Sequence, residues 1–379
     1  MMFVLFPTIP LYLFHTNFNQ MIIVILTLWV FQTMYIENEW LMHFLVFVLF
    51  LSVIFFFLSD KWMIFYVLFE FSLVPIFLII LFFGYQPEKL MAGQYLLLYT
   101  IITSLPLLLY IIKLPVFIYT LSYGNSAVLF LVMTAAFMVK TPMYLVHIWL
   151  PKAHVEAPVC GSMVLAGVLL KMGSWGLVIM APFTLSNLFT MYISISLLGS
   201  IFCSLVCLRS WDMKSLIAYS SVVHMSLITY GVFSGYELGL KCAFLMIVAH
   251  GVVSPLLFAF AYDIYCSSHS RLVNSNKGLL KEPISVFFLF MLLAVNFGLP
   301  PSVNIWSEIL AMFSLIQMSF ILVPGIILSL LVGFIYNIYL YVSLTQQKET
   351  FYEIDNLYVF PHISGVLVAF MLTLALSFF

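Results

Sequence analysis

Apolar residues run along this chain in long blocks, broken by short polar or proline-bearing turns. A block of about 18 or more apolar residues is long enough to cross the hydrocarbon core of a bilayer as a helix. The blocks predict helices over 3–14, 20–36, 41–58, 62–83, 94–112, 127–150, 161–181, 187–208, 214–234, 240–265, 284–320, 322–345 and 359–379. That makes about 13 helices; the first is too short to span, and 284–320 is interrupted at Leu299-Pro300-Pro301. The pattern predicts an all-α polytopic membrane protein with no separate soluble domain.

Composition agrees. Hydrophobic residues make up 65% of the 379 and charged residues only 7%, too few to cover the surface of a water-soluble domain of this size. A net charge of −1 with no basic block argues against a nucleic-acid partner. The start, MMFVLFPTIPLYLFHTNF, lacks the basic n-region and small-residue cleavage site of a secretory leader. The 5 cysteines, with Cys203 and Cys207 on one helix face, read as small apolar packing residues. No spacing suits zinc, haem or an iron–sulfur cluster. Neither GxGxxG nor a P-loop is present, so the chain has no visible nucleotide site.

Thirteen lysines and arginines set the expected orientation. Lys89, Lys152, Arg209, Lys214, Arg271, Lys277, Lys281 and Lys348 fall on the turns of one side, called side B. Lys61, Lys113 and Lys241 fall on the other. Loops facing the cytoplasm or its equivalent carry the lysine and arginine excess, which assigns side B to that compartment.

The two remaining lysines, Lys140 and Lys171, lie inside spans, as do Glu70 and Glu308. A charge at the bilayer centre costs roughly 2.5–3.5 kcal/mol on insertion scales. Such groups normally face a bundle interior, pair with each other, and move ions or protons. Lys140 and Lys171 are too far from the ends of their runs to snorkel to the interface. Glu70 read alone is also compatible with a protonated hydrogen-bond donor, and Glu308 with an acid exposed at a mouth. His224 and His250, mid-helix, can carry a proton by exchanging it between ring nitrogens, although a lone buried histidine is commonly a satisfied core residue. Asp263 reads as interfacial.

Prolines stand near three of the four charges. Pro142 follows Lys140 and frees the carbonyl of Met138; Pro75 follows Glu70; Pro300 and Pro301 precede Glu308. Irregular backbone at membrane depth is tolerated only against protein or a wet cavity. LPKAHVEAP (150–158) predicts a side-B loop bearing Lys152, His154 and Glu156, with Trp149 at the interface. The spacing of His147, His154 and Glu156 gives little support to a metal site.

Several stretches carry a resemblance. They are FEFSLVP (69–75), QPEKL (86–90), LLLYTIITSLPLLL (96–109), AFMVKTPMYLVHIWLPKAHVEAPVCGSMVLAGVLLKMG (136–173), DMKSLIAYSSVVHMSL (212–227), MIVAHGVVSPLLF (246–258), HSR (269–271) and LPPSVNIWSE (299–308). Together, over about residues 60–345, the chain resembles the subunit 4 family of mitochondrial NADH:ubiquinone oxidoreductase, respiratory complex I. These are antiporter-like membrane subunits, similar to subunits of cation/proton antiporters.

The resemblance implies an antiporter-like fold with two inverted five-helix repeats, each containing a broken helix. It divides the chain into shortened N-terminal helices (1–60), a first bundle (61–208), a second bundle (209–345), and a C-terminal loop and last helix (346–379). It implies proton translocation, with Glu70 pairing with Lys140 at the first break, Lys171, His224 and His250 continuing the axis, and Glu308 ending it. No cofactor is expected on this chain: NADH, FMN, iron–sulfur clusters and ubiquinone belong to other subunits of the complex. The implied partners are the other membrane-arm subunits, including neighbouring antiporter-like ones, and membrane lipids. The implied location is the mitochondrial inner membrane, with which the high methionine content, 21 residues, is compatible. One departure stands out. The glutamate helix is the fifth in the family, whereas only three runs precede it here, so the N-terminal region is expected to be about one helix short. A sodium/proton antiporter using the same charges, and a structural arm subunit that no longer conducts, are the rival readings.

Overall fold

The computed structural model describes residues 18–33, 39–112, 127–180, 186–280, 282–300 and 302–346. The runs expected at 3–14 and 359–379 lie outside the described residues. Eight described helices are long and apolar enough to cross a membrane, with four shorter apolar helices beside them.

Helix α1 covers Phe18–Thr33 and α2 Trp40–Phe57. The Glu70 run forms α3, Trp62–Phe71, and α4, Leu73–Phe83, which together cross as 62–83. Ser72 between them keeps near-helical dihedrals, and its hydroxyl donates to the Phe69 carbonyl at 2.8 Å. Pro75, in the first turn of α4, does not end the span. Next comes α5, Lys89–Ile111, which starts earlier than the apolar run because Lys89 sits at its polar end.

The expected single helix over 127–150 is instead two pieces, α6, Ala127–Lys140, and α7, Trp149–Glu156. Pro142 has no N–H to continue the ladder. The Met138 carbonyl is recaptured by the Met143 N–H at 3.0 Å, and the Trp149 indole donates to the Val139 carbonyl at 3.1 Å. Leu145 takes a positive φ of 82° to turn the chain. The loop expected at 150–158 is therefore mostly helix, and His154 and Glu156 are buried within the protein rather than displayed on a side-B surface.

Helices α8, Val159–Val164, and α9, Leu170–Met180, are joined without interruption by a π-helical turn, Leu165–Leu169. Then follow α10, Ser186–Arg209, α11, Met213–Phe233, and the 32-residue α12, Glu237–Ser268. The second interrupted helix is α13, Pro283–Asn296, with α14, Val303–Met318, and the last described helix is α15, Val323–Thr345. α12 is the hub, packing against α1, α8, α9, α11, α13, α14 and the π turn. Its buried surface runs almost all round, as does that of α11, which suits helices surrounded by protein rather than by lipid.

Candidate functional site

Two helix breaks frame the site. At the second, α13 ends in a glycine cap in which Gly298, at φ +80°, lets the Leu299 N–H reach the Ala294 carbonyl at 2.9 Å and its own N–H reach Val295 at 3.2 Å. Asn304, the second residue of α14, donates its amide to the same Val295 carbonyl at 2.7 Å. Gly298 is required for a second reason. A Cβ there would lie 2.8 Å from the Glu308 Oε2, so the Glu308 carboxyl rests against the bare backbone of the break.

At the first break, Lys140 is the last residue of α6 and only 3% exposed. Its ammonium donates to the Phe69 carbonyl and lies 3.2 Å from the centroid of the Phe69 ring, a cation–π contact. α9 can pass this close because Gly173 faces Lys140: a Cβ there would sit 2.8 Å from the Lys140 Cβ. Glu70 follows Phe69 directly and is within electrostatic reach of Lys140 and Ser104. The two charges nevertheless do not close an ion pair within 4.0 Å; among the described residues only the exposed Lys241–Glu237 pair does so. Glu70 is partly exposed, with one carboxyl oxygen covered and lacking a hydrogen bond.

A cavity of about 10 Å³ adjoins Lys140, lined by Thr100, Trp149 and Leu165, Leu169 and Leu170 of the π turn and its exit, room for one water. On the far side of that turn is Lys171, 0% exposed. Its ammonium donates to the Ala166 carbonyl, five residues back across the π turn, and contacts His250 Nδ1 at 2.7 Å. The His250 and His224 rings, from α12 and α11, have centroids 5.5 Å apart.

Both ring nitrogens of His224 are covered and have no hydrogen-bond partner. The second half of the chain also buries polar residues not anticipated from the sequence: Asn296 of α13 donates its Nδ2 to Asn337 Oδ1 of α15 at 3.1 Å, and Tyr336, next to Asn337, is buried. Glu308 is 6% exposed and faces the interior, not a mouth. Of the six expected residues, drawn from six helices, Lys140, Lys171, His224, His250 and Glu308 are buried and Glu70 is partly exposed; contacts join Lys171 to His250 and place the His250 and His224 rings side by side. The missed signal was available: Asn296 and Asn337 are amides inside apolar runs, and a buried amide has to find partners.

Three further residues have surroundings that their expected positions did not disclose. His154 is fully buried, stacked on Phe258 at 4.5 Å and 5°, with neither ring nitrogen hydrogen-bonded. Lys214, expected on a side-B turn, is buried and donates to the Ala157 carbonyl at 3.1 Å. Asp263, expected at the interface, has a covered, unpartnered oxygen. Among the described residues no group of three or more His, Cys, Asp or Glu is placed to hold a metal ion.

The comparisons with known proteins agree with this geometry. The sequence profile described as "NADH:quinone oxidoreductase/Mrp antiporter, TM" matches residues 59–335. The chain is 41% identical over 318 residues to NADH-ubiquinone oxidoreductase chain 4 of Ceratitis capitata, covering 80% of this chain and 70% of that one. It is 40% identical over 317 residues to the Artemia franciscana protein of the same name, covering 81% and 79%. In fold it is similar to a chain of respiratory complex I from Thermus thermophilus, with TM-score 0.81, 21% identity, and coverage of 95% of this chain and 79% of that one. A chain of the Mrp complex from Dietzia sp. DQ12-45-1b gives TM-score 0.82, 15% identity, and coverage of 96% and 81%. The chain belongs to the NADH:quinone oxidoreductase/Mrp antiporter transmembrane family, and within it to the NADH-ubiquinone oxidoreductase chain 4 group.

Proposed function

We propose that this chain is a proton-translocating membrane-arm subunit of respiratory complex I in the mitochondrial inner membrane, and that its buried polar line carries the protons. The observation that carries the reading is the run of ionisable groups from Lys140 through Lys171, His250 and His224 toward Glu308, all covered by protein. Groups so costly to bury are retained where they move charge. NADH, FMN, iron–sulfur clusters and ubiquinone are placed in other subunits, and this chain takes part in the oxidoreductase through proton movement alone.

Lys140 is held beside Glu70 but by the Phe69 carbonyl and ring, which supports an open state of a pair that closes when the charge on a neighbouring subunit changes. Forming or breaking such a pair changes the energy by on the order of a few kcal/mol. That is comparable with the ~2.3 kcal/mol needed to move one charge against 100 mV. The partly exposed Glu70 end fits a junction with a neighbouring antiporter-like subunit. Chain order supports two five-helix units, each interrupted in its fourth member, when they are taken as 40–180 and 186–345, with α10 opening the second unit instead of closing the first.

The test is NADH-driven proton pumping by the assembled complex carrying Lys140→Ala. Protons pumped per NADH are expected to fall with NADH oxidation still measurable; an unchanged ratio in a fully assembled complex returns the chain to a structural role. A second reading, sodium/proton exchange, is favoured by the fold similarity to the Mrp complex chain. Sodium-dependent transport in proteoliposomes without NADH oxidation would select it.

A further inference from the structure

The span Val159–Met180 contains a turn that is not α-helical, and Lys171 lies just beyond it. In this π turn, Leu165–Leu169, backbone bonds run five residues back, and the last of them joins the Leu170 N–H to the Leu165 carbonyl. Bonding four residues back resumes with α9. The Lys171 N–H then belongs to Gly167, and the Ala166 carbonyl is passed over. A buried carbonyl left without a donor costs about 1–3 kcal/mol. Here the donor is the side chain of Lys171, whose ammonium bonds Ala166. In an unbroken α-helix the residues beneath a side chain are three and four positions back; the wider turn brings the fifth into reach. The turn is also seated on α12: a Cβ on Gly167 would lie 2.7 Å from Pro255 Cγ and 3.1 Å from the Val30 side chain of α1. Pro255 follows His250 on the same helix, so the freed carbonyl and the His250 ring are held in fixed relation.

We propose that the Ala166 carbonyl is a positioning group: the π turn frees it to tether the Lys171 amine, and the tether keeps Nζ against His250 Nδ1 in both protonation states of the lysine. An ammonium has three N–H donors and no lone pair. One donor goes to Ala166, and the 2.7 Å contact makes His250 Nδ1 the acceptor of another, with the ring proton on Nε2. Transfer breaks one N–H bond of the ammonium and forms Nδ1–H on the ring. The neutral amine left behind turns its new lone pair to Nδ1–H and still has an N–H for Ala166. The same two contacts serve both states, so the proton crosses without the side chain swinging away. A carbonyl suits this place because it accepts from amine and ammonium alike and does not take the proton itself. A carboxylate there would hold the ammonium and trap the charge. The inference rests on the proton-carrying reading given above.

The experiment uses inner-membrane vesicles containing the whole complex, measuring NADH-driven proton pumping across a range of pH. Deleting Val168 removes the extra residue of the π turn, so the helix runs on as regular α-helix and the main-chain N–H of Lys171 takes the Ala166 carbonyl. Pumping is expected to fall about tenfold or more, the equivalent of one hydrogen bond to a charged group, and its pH profile to move. Val168→Ala, which keeps the π turn and its free carbonyl, is expected to lose far less and to keep the native profile. Equal loss in the two variants, or a native profile in the deletion, would overturn the inference. A second measurement needs no variant. Density maps of the native complex at acidic and at alkaline pH are expected to show Lys171 Nζ within hydrogen-bond distance of the Ala166 oxygen in both. A lysine turned away from Ala166 in either map overturns the inference, whether or not the deletion variant assembles. Lys171→Met separates the two levels. If it pumps normally the proton-carrying reading itself falls; if it is impaired while the deletion variant pumps with the native profile, only the tether falls.

Discussion

Lys171 carries a cost that its surroundings only partly offset. Taking an ammonium out of water costs several kcal/mol even after relaxation, and its partners are one carbonyl, Ala166, and one imidazole nitrogen of His250. An unbranched apolar side chain of similar length fills the same space without that penalty. Lys171→Met is therefore expected to leave the thermal stability of the complex unchanged or higher while abolishing pumping through this subunit. Thermal dissociation measured beside proton pumping checks both halves. Gly298 is the opposite case, small because nothing larger fits. Its φ of +80° costs a side chain roughly 1–2 kcal/mol, and a Cβ would strike the Glu308 carboxyl. Gly298→Ala should lower both stability and pumping, whereas Gly325→Ala, where an added Cβ meets only ordinary contacts from 3.5 Å outward, should lower neither.

Among the elements, the break between α6 and α7 holds its shape by replacing lost ladder bonds one for one. Trp149 supplies the donor for Val139, and Met143 the donor for Met138. Trp149→Phe keeps an aromatic side chain but removes the N–H with the pyrrole part of the indole, leaving a buried carbonyl short of a partner at a cost of about 1–3 kcal/mol. The expected outcome is faster hydrogen exchange in residues 137–143 with reduced pumping; unchanged exchange would mean that Trp149 acts only by packing. Proline spacing and buried charge made the position of this break legible in advance, because both are properties of single residues. The resumption of helix at Trp149 was not legible: Leu145 adopts a conformation its residue type disfavours, and WLPKAHVE reads as a polar turn until α5, α11 and Phe258 of α12 are packed against it. The π turn before Lys171 escaped for a related reason, since LAGVL within an unbroken apolar run is equally compatible with an ordinary α-helical turn.

Across the whole molecule, the two halves are clamped where α7 ends. Arg271 donates to the Val155 carbonyl at 3.0 Å and Lys214 to Ala157 at 3.1 Å, placing two cations on the negative end of that helix. The segments carrying them are joined by Met213 N–H to Arg271 at 3.0 Å and Val273 N–H to Trp211 at 2.8 Å. Arg271→Ala should cost about 1 kcal/mol after solvent screening of a partly exposed group. It should lower the temperature at which the complex dissociates while sparing protons per NADH at low temperature. The sequence pointed to the four buried charges and both histidines, since each is chemically anomalous within its own run. It did not point to the asparagine and tyrosine stretch, because one amide stands out less than one charge and its partners sit about forty residues away. At the other end of the line, the grip on Lys140 comes from main chain and aromatic face, not from the neighbouring acid. Glu70→Gln should therefore leave the lysine moored where it is, silencing the electrical signal but not the anchor. Any push from an adjoining subunit that slides α3 along its axis would haul the amine with it, making that helix a drawbar as well as a charge sensor.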